Sequence, residues 1–214
     1  MLVFLDFDGV LNSDTYFHNR HIVAPDGTCY RDYKESLLPY LDDEWLDRQP
    51  ENLKGKVLSF YQNVCYTNYK NLLKLLDKLD NHEIVLSTSW RHGLCIKSWN
   101  VLFCKLPGWK YNIVGKTGTN PDAGKCNSIQ TGLVKEITIG EVMTAEWSRY
   151  DEIYQYISEY ANFKQKFPEY IILDDDNIFG KHNNLENKFF FRTRRYSGLT
   201  NRDIRKIMKR MKER

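Results

Sequence analysis

Two carboxylates one residue apart, Asp6 and Asp8 in Asp6-Phe7-Asp8-Gly9-Val10-Leu11-Asn12, follow directly on the apolar run Met1-Leu2-Val3-Phe4-Leu5. A short unbroken apolar run is the pattern of a strand buried on both faces of a parallel sheet. Alternation along a strand sends Asp6 and Asp8 to one side and Phe7 to the other, so the acids share one small volume at the strand's C-terminal end. Like charges there repel. A hard divalent cation such as Mg²⁺, which takes carboxylate and phosphate oxygens, relieves that repulsion. Gly9 then lets the chain turn sharply. Read as an ordinary Asp-Gly turn, the stretch would leave charge at the end of a buried strand without a use. Read as a calcium hand, it lacks the required Gly and Glu, with Leu11 and Phe17 in their places. The metal-binding Asp-x-Asp of a nucleotide-sugar transferase stays open as an alternative.

Two more apolar runs end in chemistry-bearing residues. Glu83-Ile84-Val85-Leu86 leads into Ser87-Thr88-Ser89-Trp90-Arg91, and Tyr170-Ile171-Ile172-Leu173 leads into Asp174-Asp175-Asp176. A hydroxyl at a strand end, together with neighbouring backbone N–H groups, can hold a phosphoryl oxygen. Several acids at a strand end need a cation or basic partners. If the three strands lie side by side in parallel, Asp6, Asp8, Ser87, Asp174 and Asp175 meet at one sheet edge.

The elements that would position them are legible as patterns. Tyr69–Leu79 places Leu72, Leu73, Leu75, Leu76 and Leu79 at helical spacing with lysines opposite, which predicts a crossover helix. Gly93–Leu106 reads as a helix closed by Pro107-Gly108, Tyr111–Val114 as a strand, and Arg149–Ala161 as a helix with Asp151 and Glu152 in its first turn. Phe189–Phe191 predicts another strand, and Thr200-Asn201-Arg202-Asp203 a capping box opening a final helix. Residues 13–62 show no sustained periodicity apart from a short helix around Ser36–Trp45, and form a candidate cap insertion over the site. Residues 118–147, broken by glycines but with a possible strand over Leu133–Ile139, form a second candidate insertion. The expected architecture is a single α/β domain over 1–214, a Rossmann-like parallel sheet with helices on both faces.

Together the motifs resemble the haloacid dehalogenase-like (HAD) superfamily. The resemblance implies a nucleophile at Asp6 and a general acid/base at Asp8, a phosphoryl-holding hydroxyl at Ser87 with Thr88 as its alternate, and an acidic pair, Asp174 and Asp175, completing a Mg²⁺ site. It implies Asp175 as the direct ligand, beside Asp6 and the Asp8 carbonyl. The superfamily's lone basic residue falls best on Arg149, with Lys125 and Lys116 as alternatives. Gly9, Thr88, Arg91 and Lys125 are the expected substrate contacts. Adding Thr193 and Gly198-Leu199-Thr200, the chain is similar to the HAD domain of Swiss Army Knife RNA repair proteins. That likeness covers roughly residues 1–12, 69–114 and 149 onward, leaving 13–62 and 118–147 unexplained. The implied activity is phosphomonoester hydrolysis on a nucleic-acid end or a nucleotide.

Composition sets the remaining bounds. A hydrophobic fraction of 42% and an aromatic fraction of 14% are values of a globular chain, and no apolar run reaches bilayer length. Cys29, Cys65, Cys95, Cys104 and Cys126 offer neither a Cys-x-x-Cys pair nor zinc spacing, so reduced thiols in a cytoplasmic protein are expected. Met1 running straight into a strand adds the expectation of no cleavable leader. Net charge is a modest +3, but the segment after Arg192 is strongly basic. The final helix, with Arg205, Lys206, Lys209, Arg210 and Lys212, is therefore a candidate surface for RNA or DNA ends. Two other readings stand beside the phosphatase: a nucleic-acid-binding module whose acidic site is mainly structural, and a metal-dependent glycosyl transferase.

Overall fold

The computed structural model describes residues 1–118, 149–178 and 189–213. In chain order the elements are β1 (Leu2–Leu5), α1 (Asp14–Asn19), β2 (His21–Val23), β3 (Cys29–Arg31), a 3-10 turn (Leu38–Tyr40), α2 (Asp43–Asp47), α3 (Glu51–Asn63) and α4 (Tyr66–Leu76). They continue with β4 (Glu83–Leu86), a second 3-10 turn (Ser89–Gly93), α5 (Ile96–Cys104), β5 (Ile113–Lys116), α6 (Arg149–Lys164), β6 (Tyr170–Asp174), β7 (Phe190–Arg192) and α7 (Asn201–Lys212). The chain divides into two compact units. One comprises Met1–Asp6, Asn81–Asn100 and Tyr111–Arg192; the other comprises Phe7–Asp80, Val101–Lys110 and Thr193–Arg214.

The first unit is built on a five-stranded sheet in the order β5-β4-β1-β6-β7, with every pairing parallel. The chain steps outward from β1 through β4 to β5, then returns to the other side of β1 for β6 and β7. The winding therefore reverses at β1, and in open α/β sheets such a reversal is where ligands bind, beyond the strands' C-terminal ends. β1 is central and buried along its whole length, which is why its sequence is a continuous apolar run rather than an alternation. Leu2, Phe4, Val85, Tyr170, Ile172 and Phe190 on one sheet face form a core with Tyr150, Ile153 and Ile157 of α6. The expected fold class is the one found: α/β, a Rossmann-like parallel sheet with helices around it.

The second unit is helical with one antiparallel hairpin, in which His21 pairs with Arg31 and Val23 with Cys29. Phe7, whose ring was expected to turn inward, packs edge-on against Phe60 with ring centroids 5.7 Å apart. α4 buries Leu72, Leu75 and Leu76, and α7 opens with the expected capping box between Thr200 and Asp203. α7 buries Ile204 and Ile207, while Arg202, Arg205, Lys206, Lys209, Arg210 and Lys212 are exposed. No helix among the described residues is long and apolar enough to cross a membrane.

The expected helix around Ser36–Trp45 is not formed. Pro39 sits in a 3-10 turn that ends in extended backbone at Leu41, and a new helix starts at Asp42, whose side chain accepts from the Trp45 N–H at 2.9 Å. The regular element of that region is instead α3. Its Val57, Phe60 and Tyr61, with Val64 just beyond, carry i, i+3, i+4, i+7 spacing and are buried. That signal was present in the sequence and was masked by the lysines, Asn52 and Gly55 around it. Helix and strand ends elsewhere shift by two or three residues: the crossover helix begins at Tyr66, and the strand expected from Tyr111 begins at Ile113. Apart from Gly118, the second expected insertion lies outside the described residues, as do the strand expected at Leu133–Ile139 and Lys125.

Candidate active site

Strand register assembles the site. Leu5 pairs with Leu86 on one side and Leu173 on the other, so the next residues of the three strands, Asp6, Ser87 and Asp174, share one rung. Backbone bonds fix it: the Asp6 N–H donates to the Leu173 carbonyl at 3.0 Å and the Ser87 N–H to the Leu5 carbonyl at 3.0 Å. Because Phe4, Val85 and Ile172 face α6, the residues two further on, Asp6, Ser87 and Asp174, face the same way. A helix that leads into a parallel strand runs antiparallel to it, which puts the start of α6 at that same edge. Its first residue is Arg149.

Arg149 Nη1 lies 3.2 Å from Asp6 Oδ1 and 3.5 Å from Asp174 Oδ2, and it also donates to the Ser87 carbonyl. Burial alone would push its guanidinium down, but Asp6 and Asp174 beside it hold it up. Of the two basic candidates among the described residues, Arg149 is the one this edge brings to the acids. Lys116 is turned elsewhere, with Nζ donating to the Arg91 and Leu94 carbonyls at 3.1 Å each.

Asp6, Asp174 and Asp175 are all buried and offer carboxylate oxygens within 4.8 Å of one another. Burial, then the charge of Asp6, push Asp174 up to about 7 in spite of Arg149 and the Asp176 N–H, which pull it down. Three oxygen donors whose mutual repulsion outweighs a neighbouring guanidinium fit a hard divalent cation. Asp174 has both oxygens engaged, Oδ1 by the Asp176 N–H at 2.9 Å and Oδ2 by Arg149. That suits an orienting role for Asp174 within the group of three acids. Arg192 Nε donates to the Asp175 carbonyl at 2.8 Å and fixes that loop.

Ser87 is fully buried, and its hydroxyl has no hydrogen-bond partner among the described residues. A buried orphan hydroxyl on the rung of Asp6 is a donor held ready for an incoming oxygen. Thr88 is engaged differently: its Oγ1 accepts from the Trp90 N–H at 3.3 Å and caps the Ser89–Gly93 turn.

Asp8 and Gly9 lie just past Asp6, in the second unit. Asp8 Oδ1 accepts from Asn12 Nδ2 at 2.9 Å, while Asn12 Oδ1 accepts from the Gly9 N–H at 2.9 Å, so Asn12 closes the loop on itself. Gly9 adopts φ +63°, which explains the glycine. Thr193 Oγ1 donates to the Gly9 carbonyl at 2.7 Å, and the Leu199 N–H to the Val10 carbonyl at 2.9 Å. Gly198, at φ +65°, leaves room that a Cβ would fill by striking the Asn68 amide and the Val10 carbonyl. Thr193 and Gly198-Leu199, part of the motif set in sequence, thus hold the Asp8–Asn12 loop.

Arg91 departs from expectation. It was expected at the substrate, but it is 2% exposed and its guanidinium is taken up inside the protein. Nη2 lies 2.5 Å from Glu152 Oε2, Nε donates to the Thr117 carbonyl at 2.7 Å, and Nη1 donates to the Thr88 carbonyl at 2.5 Å. Burial pushes the Glu152 carboxyl up, with Arg91, the Thr117 hydroxyl and Arg149 pulling it back. Sequence reasoning missed Glu152 and Thr117. Glu152 read as a first-turn helix acid, and nothing local distinguishes a buried acid there from a solvated one.

No curated protein and no solved structure matches the chain. The family model described as the HAD domain in Swiss Army Knife RNA repair proteins matches residues 2–204. With Asp6, Ser87, Arg149 and the Asp174-Asp175 pair set around one sheet edge, and that match running over nearly its whole length, the chain belongs to this HAD family.

Proposed function

We propose that this HAD-family hydrolase is a Mg²⁺-dependent phosphatase of the cytoplasm, hydrolysing phosphomonoesters through an aspartyl phosphate on Asp6. Its substrate class is a nucleic-acid end, such as a 3′-phosphate, or a nucleotide. The observation that carries the reading is the convergence of buried Asp6, Asp174 and Asp175 within 4.8 Å with Arg149 resting on Asp6.

The Asp6 carboxylate attacks phosphorus and the ester oxygen leaves with a proton from Asp8, two residues along the chain. Asp8 then takes a proton from the water that hydrolyses the acyl phosphate, restoring Asp6 and releasing inorganic phosphate. Ser87 donates its hydroxyl, and Arg149 its positive charge, to the transferring phosphoryl oxygens. Mg²⁺ held by Asp6, Asp175 and the Asp8 carbonyl would supply charge neutralisation at those oxygens.

For the substrate, support comes from the family description, which concerns RNA repair proteins, and from the exposed basic face of α7. A face of that kind binds a phosphodiester backbone with strong salt dependence. The test is release of phosphate from p-nitrophenyl phosphate and from a panel of 3′- and 5′-phosphorylated oligonucleotides and mononucleotides. Wild type, Asp6→Asn and Asp8→Asn are compared with and without Mg²⁺. Expected is metal-dependent turnover lost in both variants, with oligonucleotide ends preferred at low salt. Turnover surviving in Asp6→Asn, or tight nucleotide-sugar binding with no phosphate release, would reject the reading.

A further inference from the structure

Beneath the hydroxyl on the site's rung lies a second cluster, built from the buried ion pair of Arg91 and Glu152. Arg91 Nη1 donates to the Ser87 carbonyl at 3.3 Å and the Thr88 carbonyl at 2.5 Å, its Nε to the Thr117 carbonyl at 2.7 Å, and its Nη2 to Glu152 Oε2 at 2.5 Å. The same Glu152 oxygen accepts from the Thr117 hydroxyl at 3.1 Å. Lys116 Nζ donates to the carbonyl of Arg91 itself, and to that of Leu94, at 3.1 Å each. One planar guanidinium thus ties the ends of β4 and β5 to the first turn of α6, the turn that begins with Arg149 three residues before Glu152. Arg91 is 2% exposed and Glu152 3%, so neither reaches solvent or substrate.

A buried ion pair is an expensive way to join two elements, because well-packed apolar side chains of similar volume hold a fold as well or better. What the fork supplies that apolar packing cannot is direction. The carbonyls of Ser87 and Thr88 point at fixed donors, which fixes the Ser87 peptide plane and with it the course of its unpartnered hydroxyl. We infer that Arg91 and Glu152 are positioning residues for the phosphoryl-holding step. The pair acts through Ser87, fixing the backbone from which that hydroxyl meets the phosphoryl oxygen. This rests on the phosphatase reading, with Ser87 in the role given above.

The experiment compares wild type, Ser87→Ala, Glu152→Gln, Ser87→Ala/Glu152→Gln and the apolar replacement Arg91→Met/Glu152→Leu. Each is read by phosphate release with Mg²⁺, by the Mg²⁺ concentration at half-maximal rate, by thermal melting, and by amide hydrogen exchange over residues 87–91. A misplacement of order 1 Å costs about 10²-fold in rate, so kcat for Glu152→Gln is expected to fall about 10–100-fold with KM and the Mg²⁺ midpoint unchanged. Exchange over residues 87–91 is expected to quicken. In the Ser87→Ala background, Glu152→Gln is expected to lower kcat much less than in wild type, because the hydroxyl it positions is gone. The apolar replacement is expected to melt near wild type yet share the loss of kcat, which separates positioning from folding. Equal and additive losses in the double variant, full activity in the apolar replacement, or unchanged exchange over 87–91 would each overturn the inference. Should wild type release no phosphate from any phosphomonoester, the phosphatase reading falls by that result. The exchange measurement then decides alone whether the pair orders this loop.

Discussion

Two arginines of the first unit stand a short distance apart in the structure and do opposite things with the same chemistry. Arg149 is a quarter exposed and reaches two acids of a group of three. Arg91 is sealed off with a single acid, and carbonyl oxygens take its remaining donors. Around Arg149, burial and then the charge of Asp6 hold the Asp174 carboxyl up at about 7 in spite of the guanidinium. Around Arg91 the one acid is paired at 2.5 Å, although burial still pushes the Glu152 carboxyl up and the guanidinium down. A region left electrostatically unsatisfied is prepared for something that arrives, whereas a satisfied one is prepared to stay where it is.

The sharpest way to break that contrast is to remove Asp6, the acid to which the proposed function gives both metal and phosphorus. Asp6→Asn is expected to lower phosphate release by at least about 10⁴-fold while leaving the fold intact, since the change relieves repulsion. Equal loss of structure, seen as a collapsed melting transition, would mean the acids hold the fold rather than await a ligand. Next in size is the exchange of roles between the arginines. Arg149→Met is expected to cost about 10²–10³-fold in kcat, as for removal of a transition-state donor, and to lower melting less than Arg91→Met because Asp174, held up at about 7, can take a proton. Arg91→Met leaves Glu152 buried without its partner, and about 3–5 kcal/mol of stability is expected to go, read by denaturant titration. If the two variants behave alike, the division between a receiving and a bracing arginine is wrong.

The third test uses pH and metal together. The folded value of Asp174, about 7, lies above the roughly 3.9 of an unfolded aspartate. The metal-free protein is therefore expected to lose stability as pH rises from about 4 through 7, as ionisation is forced on the folded site. A bound divalent cation is expected to remove that loss and to raise the melting temperature more at pH 8 than at pH 5. A melting temperature that climbs over the same range without metal would contradict it. The smallest effect concerns the second unit. Thr193→Val removes one hydrogen bond to the Gly9 carbonyl and is expected to cost about 1 kcal/mol, with kcat lowered far less than by Arg149→Met.

Much of this was legible before any coordinates. The apolar runs ending at Leu5, Leu86 and Leu173 named three strands and the residues at their tips, because a strand buried on both faces cannot carry charge except where it ends. Arg149 could be named for its place at a helix start, and the capping box at Thr200 for its local chemistry. The region from 13 to 62 was less open to reading. Its helix over Glu51–Asn63 hides Val57, Phe60 and Tyr61 among residues of high polarity, and the apolar spacing around Pro39 suggested a helix that the proline forbids.

What the sequence determined by itself is the identity of the reactive groups and their positions on their own elements, since periodicity and end signals act within a few residues. What only the tertiary structure decided is which of two similar side chains reaches Asp6 and Asp174. Arg91 follows the Ser87 strand as closely as any substrate contact could. It is instead the approach of Glu152 and Thr117, from elements 61 and 26 residues away, that turns it inward. A side chain's partner is set by the strand register and helix placement that bring distant segments together, and those are properties of the packed sheet rather than of any window along the chain.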